Sequence, residues 1–181
     1  QQQKLIADDW APDDGFGTSV ALSTVSADPQ SLHALANDTA RERLVLYGGS
    51  EIPMRTTWEW NGAEWNEKTT GIRPTAVQRH KMVYDAARAR VLLFGGLDAN
   101  GDALAETWEW DGTSWSQLMP ATSPPARSRH ALAYDATRER VVLFGGSDGT
   151  DSLADTWEWD GADWTLASPM TVPTARRLHA M

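Results

Sequence analysis

The sequence predicts an all-β protein made of repeated four-stranded antiparallel sheets, and three observations predict it. One long segment recurs three times along the chain. Nine of the ten tryptophans fall at equivalent places in those copies. Each copy alternates short apolar runs with Gly, Asp and Asn, which is typical of short strands joined by turns. The copies are residues 33–65, 80–115 and 130–164, and their tryptophans are Trp58/Trp60/Trp65, Trp108/Trp110/Trp115 and Trp157/Trp159/Trp164.

The second copy illustrates the first half of one unit. An alternating segment at residues 80–84 predicts the first strand. The apolar run at residues 91–94 predicts a second strand that is buried on both faces. Gly95 and Gly96 end this run, and we expect the backbone there to need a positive φ or a close approach that a Cβ would block.

The second half of the unit predicts two more strands. Trp108 and Trp110 lie two residues apart in the third strand and therefore share one face. Asp111-Gly112 predicts a type I′ hairpin, after which Trp115 opens the fourth strand. Four-stranded meanders repeated at this period stack radially, so the pattern predicts the blades of a β-propeller.

Three motifs of these copies carry a family resemblance. They are the His-x-x-x-Tyr-Asp opening and the Phe-Gly-Gly doublet of the second and third copies, and the spaced tryptophans. Over about residues 30–181 the chain resembles the kelch repeat, which implies a kelch-type β-propeller. Kelch repeats usually carry an arginine three residues before the histidine, present here as Arg127 and Arg176. Val77 and Gln30 replace it in the earlier copies, so this arginine is not needed in every blade.

The first thirty residues lack the kelch pattern. Residues 3–7 followed by 13–23 resemble instead an FG-GAP repeat, the blade type of integrin-α propellers. The Asp-x-Asp-x-Asp-Gly calcium loop of many such repeats is missing. Asp8, Asp9, Asp13 and Asp14 have a different spacing, so no metal site is predicted there.

We therefore divide the chain into an FG-GAP-like segment at residues 1–30 and kelch blades at 31–181. Three blades and one strand do not close a ring, so bare blade faces are expected. Further blades come from a longer chain or from other copies, or else the N-terminal strands pair with the C-terminal strand. The predicted blade boundaries are about 31–73, 74–123 and 124–172, with the first strand of a fourth blade at 173–181.

The composition excludes several classes of function. A formal net charge of −9, spread along the chain, argues against nucleic acid or an anionic membrane as the main partner. The absence of cysteine removes disulfides, thiolate metal sites and cysteine nucleophiles. No apolar run approaches the length of a membrane span, so membrane insertion is not predicted.

The conspicuous side chains that recur in every unit are predicted to be structural. Equivalent histidines lie far apart around a ring, which favours packing over a metal site. The tryptophans are expected to be buried between neighbouring blades rather than stacked on sugars. An arginine and an aspartate in each first turn are expected to form an ion pair. These residues are His33, His80, His130 and His179; Arg41/Asp38, Arg88/Asp85 and Arg138/Asp135; and Glu59, Glu109 and Glu158 between the tryptophans.

The loops between the second and third strands vary between copies and are the candidate binding site. They are residues 50–55, 97–102 and 147–151. Variable loops on a rigid scaffold are a usual arrangement for recognition. The oxygen-bearing side chains at 98, 100 and 102 also make calcium an alternative to a simple turn. The candidate ligand-binding residues are Asp98, Asn100, Asp102, Asp148, Thr150, Asp151 and Trp10, and Trp10 lies outside the repeats. No catalytic residue and no resident cofactor is predicted.

These features predict a non-enzymatic binding or scaffolding module that recognises a protein or a surface glycan through loops on one propeller face. The alternative is part of a kelch-type carbohydrate-active enzyme, an isomerase or oxidase whose catalytic residues lie mostly outside this chain. The kelch-class copper oxidase uses a tyrosine cross-linked to cysteine, which this chain lacks, and Tyr47, Tyr84 and Tyr134 occupy repeat strand positions. Kelch and FG-GAP-like sequences together predict a secreted or cell-surface bacterial protein.

Overall fold

The computed structural model describes residues 32–49, 55–76 and 78–180. These residues form twelve β-strands and no helix, which confirms the all-β prediction. None of them forms a helix that is long and apolar enough to cross a membrane. Trp10, the FG-GAP-like segment and most of the 50–55 loop lie outside the described residues.

The strands form three separate sheets, which we name blades 1, 2 and 3 in chain order. Within each blade, consecutive strands pair antiparallel, as the repeat predicts. Blade 1 contains β1 (Ala34–Asp38), β2 (Arg43–Tyr47), β3 (Thr57–Trp60) and β4 (Trp65–Lys68). Blade 2 contains β5 (Lys81–Asp85), β6 (Arg90–Phe94), β7 (Thr107–Trp110) and β8 (Trp115–Leu118). Blade 3 contains β9 (Ala131–Asp135), β10 (Arg140–Phe144), β11 (Thr156–Trp159) and β12 (Trp164–Ala167).

The first strands of the blades lie side by side. Strand β1 contacts β5, and β5 contacts β9, so these strands occupy the inner position around a common axis. The described residues follow one another as propeller blades, and the ring is not closed. The predicted fold class is therefore confirmed.

The hairpins between the third and fourth strands are present, but the predicted type I′ turn is wrong. Trp110 pairs with Trp115, so the connecting loop has four residues. Gly112 has a φ of 100°, whereas Asp111 is not among the positive-φ residues, and a type I′ turn needs both. The Asp111 carboxylate accepts the N–H groups of Thr113 and Ser114 at 2.7 and 2.8 Å, which stabilises the longer loop.

The glycine doublet after β6 is required by close packing, as predicted. Gly95 and Gly96 have φ values of 61° and 102°. A Cβ on Gly95 would lie 2.5 Å from the carbonyl oxygen of Arg127, and one on Gly96 would lie 2.7 Å from Cβ of His80. The doublet thus lets the end of one blade approach the linkers on both sides.

The substitution Gly96→Ala tests this close approach. We expect it to lower the free energy of unfolding by about 1–3 kcal/mol more than Gly101→Ala, because overpacking costs about that much. Gly101 is the matched control, since its φ of 89° imposes a similar backbone strain but a Cβ there would meet nothing within 4 Å. Urea unfolding of both variants measures the difference, and equal losses would contradict the packing argument.

Tryptophans join each blade to the preceding one. The indole N–H of Trp115 donates to Thr57 Oγ1 at 2.8 Å, and that of Trp164 donates to Thr107 Oγ1 at 3.0 Å. The tryptophans of blades 2 and 3 are buried, which confirms their predicted position between blades. Those of blade 1 are only half-buried, because no described residue covers that side of the blade.

Candidate functional site

Two of the variable loops lie on the same end of the propeller as the linkers between blades. Leu97 N–H donates to the carbonyl oxygen of Gln78 at 2.8 Å. In the next blade, Ser128 and Ser147 exchange backbone hydrogen bonds of 2.9 and 2.8 Å. We call this end the loop face, defined by the linkers 78–80 and 126–130 and the loops 97–102 and 147–151. The opposite end, which carries the first turns and the hairpins, is the turn face.

The side chains of the 97–102 loop mainly hold the loop itself. Asp98 Oδ1 accepts the N–H groups of Asn100 and Asp102 at 2.8 and 2.9 Å. The Asn100 amide donates to the other Asp98 oxygen at 3.2 Å. These donors, with the Asp102 N–H first, hold the pKa of Asp98 below its ordinary value. The side chain of Asp102 is exposed, and its carboxylate accepts none of these three hydrogen bonds, so it is accessible to a partner.

The 147–151 loop is built in the same way. Asp148 Oδ1 accepts the N–H groups of Asp151 and Thr150 at 2.8 and 2.9 Å, and the Thr150 hydroxyl donates to it at 2.9 Å. These bonds lower the pKa of Asp148. Asp151 is exposed, as Asp102 is in blade 2.

No group of three His, Cys, Asp or Glu side chains in the described part of the chain could hold a metal ion. The Asp98 oxygens accept N–H groups, so a cation there would compete with the turn. Calcium binding by this loop stays a prediction, as does the ligand role of Trp10, which lies outside the described residues.

Two arginines that sequence reasoning missed lie at the centre of the loop face. Arg79 N–H donates to the Leu32 carbonyl, and Arg129 N–H donates to the Arg79 carbonyl, both at 3.0 Å. Both residues have a φ of 58°, a conformation that is uncommon outside glycine. Their Nε atoms are buried and make no hydrogen bond within the described ranges. The sequence did contain a signal for these arginines. The residue before the repeated histidine is leucine in the other units, Leu32 and Leu178, so the repeat itself does not require an arginine there.

A lysine adds to this positive charge. Lys81 opens the inner strand β5, two residues after Arg79, where the other units carry Ala34, Ala131 and Ala180. Burial lowers its pKa. It forms no salt bridge with any residue the structure describes. We call Arg79, Lys81 and Arg129 the axial cations.

Comparison with known families decides what kind of protein carries this face. The model of the KLHDC2/KLHL20/DRC7 Kelch-repeats domain matches residues 56–181. The chain belongs to the kelch-repeat family. An FG-GAP repeat model matches residues 1–28, which confirms the second resemblance. No curated protein matches the chain. Kelch repeats generally mediate protein binding and are generally non-catalytic, so the chain is a protein-interaction or scaffolding module.

The predicted Arg–Asp pairs occupy the turn face of the kelch blades. Arg41 pairs with Asp38 at 2.7 Å and with Glu59 at 2.6 Å. Glu59 also accepts the indole N–H of Trp110 from blade 2 at 2.9 Å. Burial raises the pKa of Glu59, but the bonds from Arg41 and Trp110 outweigh it and the net shift is downward. This cluster therefore joins two blades and is structural.

The equivalent groups in blades 2 and 3 differ in one respect. Arg138 pairs with both Asp135 and Glu158, as in blade 1. Arg88 pairs with Asp85 at 2.8 Å. Its second partner is the carbonyl oxygen of Asp160 in blade 3, in place of the glutamate that Arg41 and Arg138 bind. Glu109 has no salt bridge with the described residues, and burial raises its pKa.

The kelch histidines pack between blades. His80 Nε2 bonds the Tyr47 carbonyl at 3.1 Å, and its ring meets the Tyr47 ring edge-on at 5.6 Å. His130 contacts Phe94 and His179 contacts Phe144 in the same way, at 5.6 and 5.5 Å. These contacts confirm a packing role for His80, His130 and His179.

Proposed function

We propose that this kelch module recognises a protein partner through its loop face, with an acidic segment of the partner placed over the axial cations. The observation that carries this proposal is that Arg79, Lys81 and Arg129 are partly buried and have no carboxylate partner among the described residues. On a chain with a net charge of −9, such an unpaired positive cluster is unusual.

The axial cations carry an energetic cost, because their buried N–H groups have no acceptor among the described residues. A buried N–H donor without an acceptor costs about 1–3 kcal/mol, and partly desolvated charges cost more. A carboxylate that binds arginine forms strong charge-assisted hydrogen bonds and removes that penalty. The partner is thus expected to present acidic side chains or a C-terminal carboxylate to the centre of the loop face.

The exposed carboxylates of Asp102 and Asp151 lie in the loops of the same face. They would repel an acidic segment that lay across them, and they would attract basic residues that flank it. A positive centre and a negative rim together favour one register of the partner. This charge pattern supports a specific protein partner over a neutral glycan.

The test uses a random-peptide display library selected on the immobilised chain. We expect acidic peptides to be enriched, and the triple variant Arg79→Leu/Lys81→Ala/Arg129→Leu to bind them at least tenfold more weakly, as the loss of one charge-assisted bond of about 1.4 kcal/mol or more implies. Each replacement is the residue that another unit of this chain carries at that position, so the fold should tolerate it.

The control is Arg43→Leu/Arg90→Leu on the turn face, where the side chain of each arginine donates to the preceding carbonyl and to no other group of the described residues. It should leave peptide binding unchanged. Peptides that bind the triple variant normally would contradict the proposal. Glycan-array binding that the triple variant abolishes would favour a lectin instead. The extracellular or cell-surface location stays a prediction.

A further inference from the structure

The described residues include two Asn-Gly dipeptides, which lie in different surroundings. Asn61-Gly62 lies in the hairpin loop between β3 and β4 on the turn face, and Asn100-Gly101 lies in the 97–102 loop on the loop face. All four residues are exposed, and a Cβ on either glycine would meet nothing within 4 Å. Exposure and crowding are therefore alike at the two places, whereas their hydrogen bonds differ.

An asparagine that precedes glycine can lose its side-chain amide to the backbone. The glycine nitrogen gives up its proton to solvent and attacks the asparagine Cγ, which forms an N–Cγ bond and places a negative charge on Oδ1. The Cγ–Nδ2 bond then breaks, Nδ2 takes a proton from solvent and leaves as ammonia, and a succinimide ring remains. Water opens this ring to aspartate or isoaspartate, without any oxidant or reductant. Glycine favours the attack because it has no Cβ to hinder its nitrogen.

The hairpin loop of blade 1 supports this reaction. Asn61 Oδ1 accepts the N–H groups of Ala63 and Glu64, both at 2.9 Å. Two donors at this distance stabilise a negative charge that develops on the oxygen they bind, as in an oxyanion hole. Neither the Gly62 N–H nor the Asn61 amide nitrogen forms a hydrogen bond with the residues that the structure describes. The attacking nitrogen and the leaving nitrogen are therefore both free to react.

The loop of blade 2 opposes the same reaction. Gly101 N–H donates to the Asp98 carbonyl at 3.1 Å, and the Asn100 amide nitrogen donates to the Asp98 carboxylate at 3.2 Å. Both bonds must break before the glycine nitrogen attacks and ammonia leaves. In addition, the adjacent carboxylate disfavours a second negative charge on the Asn100 side chain.

We propose that Asn61 is a site of spontaneous deamidation in the folded protein, whereas the loop of blade 2 protects Asn100. The aspartate product is compatible with the fold, because Asp111 and Asp160 stand at the equivalent place in the other blades. Each of them accepts two backbone N–H groups between 2.7 and 2.9 Å, in the same pattern as Asn61. The modification adds one negative charge to the turn face.

The isoaspartate product does not fit the loop in the same way. It adds one carbon atom to the backbone of a four-residue loop whose ends are fixed by the pairing of Trp60 with Trp65. We therefore expect the isoaspartate form, separated by ion exchange, to have an unfolding equilibrium constant at least tenfold above that of the Asn61→Asp variant. Urea unfolding measures both, and equal constants would contradict this account of the loop.

The main experiment incubates the chain at pH 8.0 and follows both asparagines by tryptic peptide mapping. Trypsin places them in separate peptides, residues 56–68 and 91–127, and tandem mass spectrometry separates Asn61 from Asn66. We expect Asn61 to deamidate at least tenfold faster than Asn100 in the folded chain. In guanidinium chloride, where the hydrogen bonds of both loops are lost, the two rates should agree within threefold.

The matched variant is Asp98→Ala, which removes the carboxylate that holds the Asn100 amide. It should raise the rate at Asn100 at least threefold and leave the rate at Asn61 unchanged, with tryptophan fluorescence showing that the chain stays folded. Equal rates at the two asparagines in the folded chain would overturn the proposal. Deamidation of Asn61 only in guanidinium chloride would overturn it as well, since the folded loop would then protect this residue.

Discussion

Arg127→Ala is expected to lower the free energy of unfolding by about 2–4 kcal/mol, because it removes a fully buried guanidinium that pairs with the partly buried Asp155 and leaves two carbonyl oxygens without its N–H groups. Arg127 is fully buried and also donates to the carbonyl oxygens of Gly145 and Pro125 at 3.0 and 3.1 Å. Burial raises the pKa of Asp155, but the bonds from Arg127 and Trp157 outweigh it and hold the pKa below its ordinary value. Urea unfolding near neutral pH, where Asp155 is ionised, measures the loss.

The repeat supplies the control for this prediction. Arg176→Ala in the same chain removes an equivalent but exposed arginine and should change the free energy of unfolding by no more than about 0.5 kcal/mol. A double-mutant cycle with Asp155→Asn should show that the two losses at the Arg127–Asp155 pair are not additive. Equal effects of Arg127→Ala and Arg176→Ala would show that burial of the pair does not set its contribution.

Most of the fold was predictable because the signals were local and repeated three times. Strand positions followed from apolar runs such as residues 91–94 and from the Thr107–Trp110 motif, and the observed strands agree with both. The Gly95-Gly96 doublet was predictable because a positive φ and a close approach both exclude a side chain.

The hairpin type was not predictable from Asp111-Gly112 alone. That dipeptide also suits a four-residue loop in which the aspartate accepts two backbone N–H groups, and pairing of Trp110 with Trp115 decides between the two. Register depends on cross-strand pairs that the dipeptide does not contain.

The candidate site was predictable only in part. The loops were identified by their variation, but hydrogen bonds to Asp98 and Asp148 show that part of each loop's polarity stabilises the loop itself. The axial cations were not predictable as a site, because in the sequence Arg79 and Lys81 are two ordinary charged residues on either side of the repeated His80. Their significance depends on burial without a carboxylate partner, and that is a tertiary property.

The buried histidines are expected to make the blades acid-sensitive at pH values where the carboxylates still stay ionised. Burial lowers the pKa of His80 to about 3 from an ordinary value of 6.5, against a smaller upward effect of the Tyr47 carbonyl. Burial, with the charge of Arg127 next, also holds the pKa of His130 well below 6.5. Each ring is therefore neutral in the folded state, whereas it takes up a proton in the unfolded chain once the pH falls below about 6.5.

The direction of this pH dependence follows from the linkage between proton binding and unfolding. Below about pH 6.5 the unfolded state binds more protons than the folded state, so the free energy of unfolding falls as the pH falls, by up to about 1.4 kcal/mol per pH unit for each histidine. At pH 5 we expect a loss of about 2 kcal/mol per buried histidine, or about 4 kcal/mol for His80 and His130 together. The loss continues until the pH passes the folded-state pKa, which is about 3 for His80.

Urea unfolding at pH 7.5, 6.5, 5.5 and 5.0 measures this slope above the range in which most carboxylates titrate. The variant His80→Gln should be less stable at pH 7.5, because it loses a well-packed ring, but its stability should fall only about half as steeply between pH 6.5 and 5.0. Glutamine does not titrate, so one of the two fully buried sources of the slope is gone, whereas the smaller contribution of the partly buried His179, whose pKa burial also lowers, is present in both proteins. An unchanged slope would mean that proton uptake elsewhere destabilises the blades, and that His80 is not held neutral by its burial against Tyr47.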